Sequence, residues 1–162
     1  MTHMSRDQIE RWDLLRAAIH EAAHAIVDLR TGGLGGQIEL YRVEEADLTE
    51  FKIWVGRFTG WRIVDRVAVG LAGVLAELIH DEGGPDSTTE TDIAKNFTYG
   101  IDDGVIELSD TDAEMHGDYC YQDVERTVRL LFDHWSAVSE RAEWERTKAL
   151  ELSKGQGDLP AP

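Results

Sequence analysis

Residues 20–24 read His-Glu-Ala-Ala-His and contain the side chains that a metal-dependent hydrolase needs. Side chains four residues apart lie on one face of an α-helix, so the imidazoles of His20 and His24 can bind one cation. A catalytic zinc takes three protein ligands and one water, whose pKa it lowers from about 15.7 to about 7. Glu21 stands beside the first histidine, where it can accept a proton from that water. The run therefore predicts zinc ligands at His20 and His24 and a general base at Glu21.

The flanking sequence indicates that this run lies inside an amphipathic helix. Ser5 and Gln8 have the spacing of a capping box, which predicts a helix start. Apolar residues then recur with a helical period over 9–26, and the glycines after Thr31 end the pattern. The simpler interpretation is two surface histidines beside a solvated acid. The alanine- and isoleucine-rich surroundings favour the metal site over it.

A zinc site of this type needs a third protein ligand, and the residues alone leave its identity open. A longer zinc pattern would have a third histidine six residues after His24, but Arg30 occupies that position. Carboxylates farther along the chain remain as candidates. Asp92 falls in the first turns of a predicted helix, and Glu77 falls on a helix that could pack on the first one. Three glutamates between the predicted strands look solvated by comparison: Glu44, Glu45 and Glu50.

The remaining elements predict an α+β, mostly helical fold with a small antiparallel sheet. Two stretches rich in β-branched and aromatic residues, 38–43 and 51–58, are typical of strands. The next helix contains several glycines and alanines, and an interior glycine costs about 1 kcal/mol in a helix. Close approach of another element is the expected compensation. The further helices are predicted over 62–81, 88–99 and 119–152, with a loop over 100–117.

Length, charge and cysteine content limit the classes of function. The 162 residues predict one domain over 1–154, followed by a disordered tail over 155–162. The net charge of −16, with 32 acidic against 16 basic residues, argues against nucleic acid and anionic membranes as partners. The single cysteine, Cys120, excludes an internal disulfide, and no apolar run reaches the length of a membrane helix. A cytoplasmic location is expected.

Three segments resemble the peptidase domain of FtsH-type AAA+ zinc metalloproteases, in the same order and with similar spacing. They are residues 18–27 around the two histidines, residues 70–79 with their small side chains, and residues 87–95. The resemblance implies a zincin-like helical domain that acts as a zinc endopeptidase on flexible or unfolded polypeptides. It also implies that Asp92 is the third zinc ligand and that Glu77 orients a ligand histidine. By the same resemblance, the edge of one strand holds the substrate in extended form; either strand could serve.

The sequence departs from that family at several positions. Ala23 replaces a usual glycine, Asp28 stands where a small residue is common, and Leu78 replaces the second glutamate of an Ala-Glu-Glu run. No glycine-rich phosphate loop of an ATPase is present among the 162 residues.

The expectation is therefore a stand-alone zinc metallopeptidase with a polypeptide substrate. A homo-oligomer or a separate ATPase partner is left open. One alternative is a non-catalytic zinc-binding module of the same fold that regulates or binds other proteins. Another is a zincin of different type in which Glu77 is a ligand.

Overall fold

The computed structural model describes residues 3–43 and 53–157, with side chains up to residue 154. These residues form six α-helices and one two-stranded antiparallel sheet, which confirms the prediction of an α+β, mostly helical fold. The helices are α1 (Arg6–Arg30), α2 (Arg66–Asp81), α3 (Glu90–Asp102), α4 (Asp110–His116), α5 (Tyr121–Asp133) and α6 (Trp135–Gly157). The strands are β1 (Gly36–Arg42) and β2 (Trp54–Gly60), and a short 3-10 turn covers Pro85–Ser87.

Helix α1 is the element on which the others assemble. Its start has the predicted capping box: the Ser5 hydroxyl accepts from the Gln8 backbone N–H, and the Gln8 side chain accepts from the Ser5 N–H. Its small buried residues, including Ala18 and Ala22, let α2 pack closely against it. Because α6 and β2 also pack on α1, His24 is buried and His20 is partly buried.

The sheet is held against α1 by a buried carboxylate. Asp13 accepts hydrogen bonds from the backbone N–H groups of Ile53 and Trp54, at 2.7 and 2.6 Å. The register pairs Arg42 with Trp54 at this end of the sheet. Both strands lie within two or three residues of their predicted bounds, and the region of Glu44, Glu45 and Glu50 lies outside the described residues.

Helix α2 begins at residue 66 rather than at the predicted residue 62, because residues 61 and 62 still bond to the segment before β1. The Trp61 N–H donates to the Gly35 carbonyl, and the Leu34 N–H donates to the Arg62 carbonyl. The Asp65 side chain then caps the helix by accepting from the Ala68 N–H at 3.1 Å.

The second half of the chain differs more from the prediction. Helix α3 begins at Glu90, two residues after its predicted start, and is capped by Thr89, whose hydroxyl accepts from the Asp92 N–H. The helix predicted over 119–152 is two helices that separate at His134. Helix α6 continues to Gly157, three residues into the predicted tail; residues 158–162 lie outside the described part.

The predicted loop over 100–117 contains a short helix. Helix α4 is capped by Ser109, whose hydroxyl accepts from the Asp112 N–H at 3.2 Å. Gly104 and Gly117 flank it with positive φ angles of 71° and 54°, which glycine adopts without a steric penalty. Helix α4 packs on α2. Across residues 3–43 and 53–157, no helix has both the length and the apolar character needed to span a membrane.

Candidate metal centre

His20, His24 and Asp112 form a cluster with the composition and spacing of a metal site. The three side chains each offer one ligand atom, and these atoms all lie within 4.8 Å of one another. The Nε2 atom of His20 lies 2.9 Å from Asp112 Oδ2, and the Nε2 atom of His24 lies 3.2 Å from Asp112 Oδ1. Helix α1 thus supplies both histidines from one face, as predicted, and α4 supplies the carboxylate.

Asp92 does not lie beside the two histidines, where the FtsH-type resemblance implies a third zinc ligand. It is exposed in the first turn of α3, a helix that packs on α5 and α2. The carboxylate that faces both histidines belongs to Asp112, so the structure brings Asp112, and not the predicted Asp92, to them. The physical reason is local: residues 87–95 comprise the end of a 3-10 turn, the cap of α3 and its first turns, whereas α4 is the element that approaches the histidines.

The outer ring nitrogens of the two histidines are fixed by acceptors. His24 donates from Nδ1 to the Val69 carbonyl at 2.5 Å, and His20 Nδ1 lies 3.2 Å from Glu77 Oε2. A neutral imidazole protonated at Nδ1 has its lone pair on Nε2. Metal-binding histidines commonly have this second contact, which fixes the tautomer and the ring orientation. Once Nε2 has lost its proton, as metal binding requires, the lone pairs of both histidines are directed at the space beside Asp112.

Glu77 lies where a residue that orients His20 must lie. Its carboxylate contacts His20 on the Nδ1 side, and the Arg16 guanidinium lies 3.4 Å from its other oxygen. The metal-facing atom of His20 is Nε2, so Glu77 is outside the cluster of ligand atoms. This placement agrees with the predicted orienting role and disfavours the alternative in which Glu77 is a ligand.

The donor set fits zinc. Bonds of about 2.0–2.2 Å in a tetrahedral site place neighbouring ligand atoms about 3.4 Å apart. The histidine nitrogens lie 2.9 and 3.2 Å from the Asp112 oxygens, somewhat closer than that value, and the three ligand atoms lie within 4.8 Å of one another, so small side-chain movements would bring them to zinc distances. Two imidazoles and one carboxylate are also a known ligand set of catalytic zinc sites with one open position.

The electrostatics of the metal-free site favour a positive charge at its centre. Burial lowers the pKa of His20, but hydrogen bonds to Asp112 and Glu77 outweigh it and raise the pKa well above its usual value. Burial raises the pKa of Asp112, and its hydrogen bonds with His20 and His24 outweigh this and hold the pKa far below its usual value. The carboxylates around His20 therefore favour a cation at this position, as a metal site requires.

Two glycines of α2 provide the space that the site occupies. A Cβ on Gly73 would lie 2.3 Å from His20 Nε2, and a Cβ on Gly70 would lie 2.6 Å from the backbone nitrogen of His116. Gly73 therefore accommodates the ligand ring, and Gly70 lets α4 approach closely enough to present Asp112. This confirms that the small residues of α2 serve close packing, and it assigns a partner to each glycine.

Glu21 lies between α1 and the sheet. It is only 7% exposed, and a Cβ on Gly56 of β2 would lie 2.4 Å from its Cγ and 2.9 Å from its Oε1. Two residues farther along β2, the Phe58 ring stacks on His24 with a centroid distance of 6.1 Å and an interplanar angle of 15°. Strand β2 therefore runs past both the candidate base and one candidate ligand.

Asp112 is the functional residue that sequence reasoning missed. The acidic, glycine-containing stretch before residue 117 was interpreted as a loop, so its carboxylates were not considered as ligands. A local pattern was present: Ser109 precedes Asp112 by three residues, which is the spacing of a helix cap with an acid in the first turn. That pattern predicts a helix but not its contact with α1.

No protein-family model matches the chain, and no curated protein matches it in sequence. The FtsH-type resemblance therefore stays a prediction that depends on the quoted segments alone.

Proposed function

We propose that this protein is a zinc-dependent metallopeptidase that hydrolyses peptide bonds of flexible or unfolded polypeptides. His20, His24 and Asp112 hold the metal, and Glu21 is the general base. The observation that carries the proposal is the convergence of both histidine Nε2 atoms on Asp112 while both Nδ1 atoms have acceptors of their own. Glu21 is next to His20 in the chain, and its charge acts on the His20 ring.

In the proposed hydrolysis, the metal and the side chains of the protein have different roles. Bound zinc supplies a Lewis acid that polarises the substrate carbonyl and makes a water molecule acidic near pH 7. The Glu21 carboxylate accepts the proton and passes it to the leaving amine. The contact with Gly56 limits where the Glu21 side chain can go, and its carboxylate is near enough to His20 to raise the pKa of that histidine. Glu77 and the Val69 carbonyl keep the ligand rings in one orientation.

The substrate class is supported by the strand beside the base. An extended polypeptide can add to an exposed strand edge through backbone hydrogen bonds, and folded chains cannot offer such a segment. The sequence left the two strands as equal candidates. Contacts of Gly56 with Glu21 and of Phe58 with His24 favour β2.

A zincin-like fold of the FtsH peptidase type is part of the proposal. Two of the three resembling segments support it. The helix with both histidines and the glycine-bearing helix with Glu77 support it, since α2 packs on α1 and accommodates His20. The third segment no longer contributes, because Asp92 lies outside the ligand cluster.

The experiment compares zinc-loaded wild type with the Glu21→Gln variant on an unstructured, fluorescence-quenched polypeptide. Because removal of a general base costs about 10²–10⁴-fold in rate, Glu21→Gln is expected to lose at least a hundredfold in kcat while it still binds zinc. Glu82→Gln, which alters an exposed glutamate at the end of α2, is the matched control and keeps full activity. Equal rates for Glu21→Gln and wild type would contradict the assignment of Glu21.

A non-catalytic zinc-binding module is the second candidate, and the burial of the cluster favours it. Glu21 is 7% exposed, His24 is 2% exposed and Asp112 is 5% exposed, so a substrate reaches the site mainly past His20. This candidate predicts one bound zinc per chain and no cleavage in the same assay. Zinc-dependent cleavage that depends on Glu21 would eliminate it.

A further inference from the structure

We infer that an exposed apolar corner at the end of β2 is a second contact surface for the polypeptide substrate, and that it selects segments combining large apolar side chains with carboxylates. The inference rests on the proposed peptidase function. The corner, called the distal corner below, consists of Leu29, Leu34, Trp61 and Val64, which are 48%, 60%, 71% and 57% exposed.

These four side chains belong to one surface. The Cβ position of Gly35 lies 3.3 Å from the Leu29 side chain and 4.0 Å from the Trp61 ring. The Cβ position of Gly32 lies 4.0 Å from a methyl group of Val64. Backbone hydrogen bonds from Leu34 to residue 62 and from Trp61 to Gly35 join the two segments. An apolar surface of this kind on a soluble domain commonly marks a binding site.

The charge at the distal corner is opposite to that of the chain. Arg30, Arg62 and Arg66 adjoin its residues in sequence, are exposed, and form no ion pair with residues 3–43 or 53–154. The chain as a whole has a net charge of −16, and most of its other arginines are paired with acids. Arg30 interacts favourably with the helix dipole at the end of α1, but Arg62 lies outside the helices and Arg66 is the first residue of α2, where the dipole disfavours a cation.

The distal corner lies in line with the site. Strand β2 contacts Glu21 through Gly56 and His24 through Phe58, and Trp61 follows its last residue. At about 3.4 Å per residue, Trp61 lies about 17 Å along the strand direction from Gly56. An extended substrate beside β2 covers that distance with about five residues. The segment recognised at the corner is therefore about five residues from the cleaved bond.

The chemistry of the surface determines the occupant. Trp61 and the aliphatic side chains favour large apolar groups, and unpaired arginines favour carboxylates. A net charge of −16 repels an acidic polypeptide elsewhere on the molecule, so this corner is where such a segment gains most from binding.

The test measures binding without turnover. Zinc-loaded Glu21→Gln protein is titrated against a fluorescein-labelled peptide rich in serine and asparagine, with a central Leu-Phe pair and the block Asp-Leu-Glu-Phe about five residues away. The block is placed on the amino-terminal side in one peptide and on the carboxy-terminal side in another. Comparison peptides replace its acids by lysine or its apolar residues by serine. One of the two placements is expected to bind about tenfold more tightly than both of its comparison peptides, and less tightly as NaCl is added.

Two variants in the Glu21→Gln background locate the contact. Trp61→Ser is expected to weaken binding of the preferred peptide about tenfold, and Arg62→Glu with Arg66→Glu is expected to do the same. Trp144→Ser is the matched control, because Trp144 is 59% exposed on α6 with Arg141 and Lys148 beside its ring. Circular dichroism verifies that each variant is folded.

The outcomes separate this inference from the proposed function. Unchanged affinity in both distal-corner variants, or no preference for the acidic block at either placement, overturns the inference even if the wild type cleaves peptides. A preference that disappears in both variants supports it even if the wild type cleaves nothing, and only the peptidase proposal then fails.

Discussion

At the scale of single residues, the position of the His20 ring in the candidate metal site depends on Gly73. The ring nitrogen that faces the cluster occupies the place where any other side chain on residue 73 would begin. The same reasoning applies to Glu21 and Gly56 on the other side of α1. The two glycines, which look ordinary in the sequence, therefore leave the space that the His20 and Glu21 side chains need.

The Gly73→Ala variant is expected to bind zinc at least tenfold more weakly, because a Cβ 2.3 Å from Nε2 forces the His20 ring away from Asp112. On helix propensity alone the same change would stabilise α2 by up to about 1 kcal/mol. Zinc affinity is measured by competition with a chromophoric chelator, with His80→Ala on the same helix as the histidine control. Unchanged zinc affinity in Gly73→Ala would show that the ring is not seated as described.

The proposed zinc site is expected to bind the metal in a pH-dependent way, because a proton on His20 competes with the metal. The pKa of His20 is raised in the metal-free protein, so at pH 7 zinc must displace a proton from it. Charged His20 stabilises the folded, metal-free protein at pH values below the ordinary pKa of histidine. This stabilisation is lost as pH rises through the raised pKa of His20. Zinc affinity is therefore expected to increase as pH rises through that range.

Calorimetric titrations with zinc at pH 7, in buffers of different ionisation enthalpy, measure the released protons directly. We expect net release of a proton in wild type. Identical apparent enthalpies in all buffers would contradict a protonated His20.

At the scale of elements, the site depends on one short helix. Helix α4 has seven residues, packs on α2, and lies between two glycines with positive φ angles. A helix of this length is not stable alone, so its contacts must hold it in place. A metal bound by Asp112 and by the α1 histidines would link α4 to α1 directly.

Removal of zinc is expected to loosen α4 while the core persists. Amide hydrogen exchange of residues 110–116 should become at least tenfold faster after chelation, whereas exchange in the buried middle of α2 should change little. Exchange measured by mass spectrometry on the same sample with and without chelator provides the comparison. Equal protection of α4 in both states would indicate that the metal does not hold this helix.

The contrast between α1 and α4 explains which elements the sequence could predict. Helix α1 has a capping box, a long apolar period and a glycine stop, and all three are local. Helix α4 has a cap at Ser109 but too few turns for a period, and its position depends on Gly70 in a distant segment. The break at His134 has no comparable local cause, since no proline or glycine adjoins it.

At the scale of the whole molecule, the candidate site also combines residues that a local pattern predicts with a residue that only distant contacts bring into place. His20, Glu21 and His24 form a contiguous pattern, so their shared face follows from helix geometry alone. The small residues of α2 indicate that α2 packs on α1, and the FtsH-type resemblance implies that Glu77 orients a histidine; Glu77 does lie beside His20. Asp112 could not be found this way, because its partners lie 88 and 92 residues away and only the assembled fold brings them together.

Zinc binding at the proposed site is also expected to increase the free energy of unfolding. A ligand that binds only the folded state stabilises it by RT ln(1 + [L]/Kd), about 2.7 kcal/mol at a concentration one hundred times Kd. A zinc ion held by α1 and α4 must therefore raise the unfolding temperature. This shift reports whether the three proposed ligands act together.

The most direct test is the zinc-induced shift in unfolding temperature of wild type, Asp92→Ala and Asp112→Ala, measured with one zinc concentration and with a chelator. We predict a clear upward shift for wild type and an equal shift for Asp92→Ala. For Asp112→Ala we predict little or no shift. A full shift in Asp112→Ala, or its loss in Asp92→Ala, would contradict the assignment of His20, His24 and Asp112 as the metal centre.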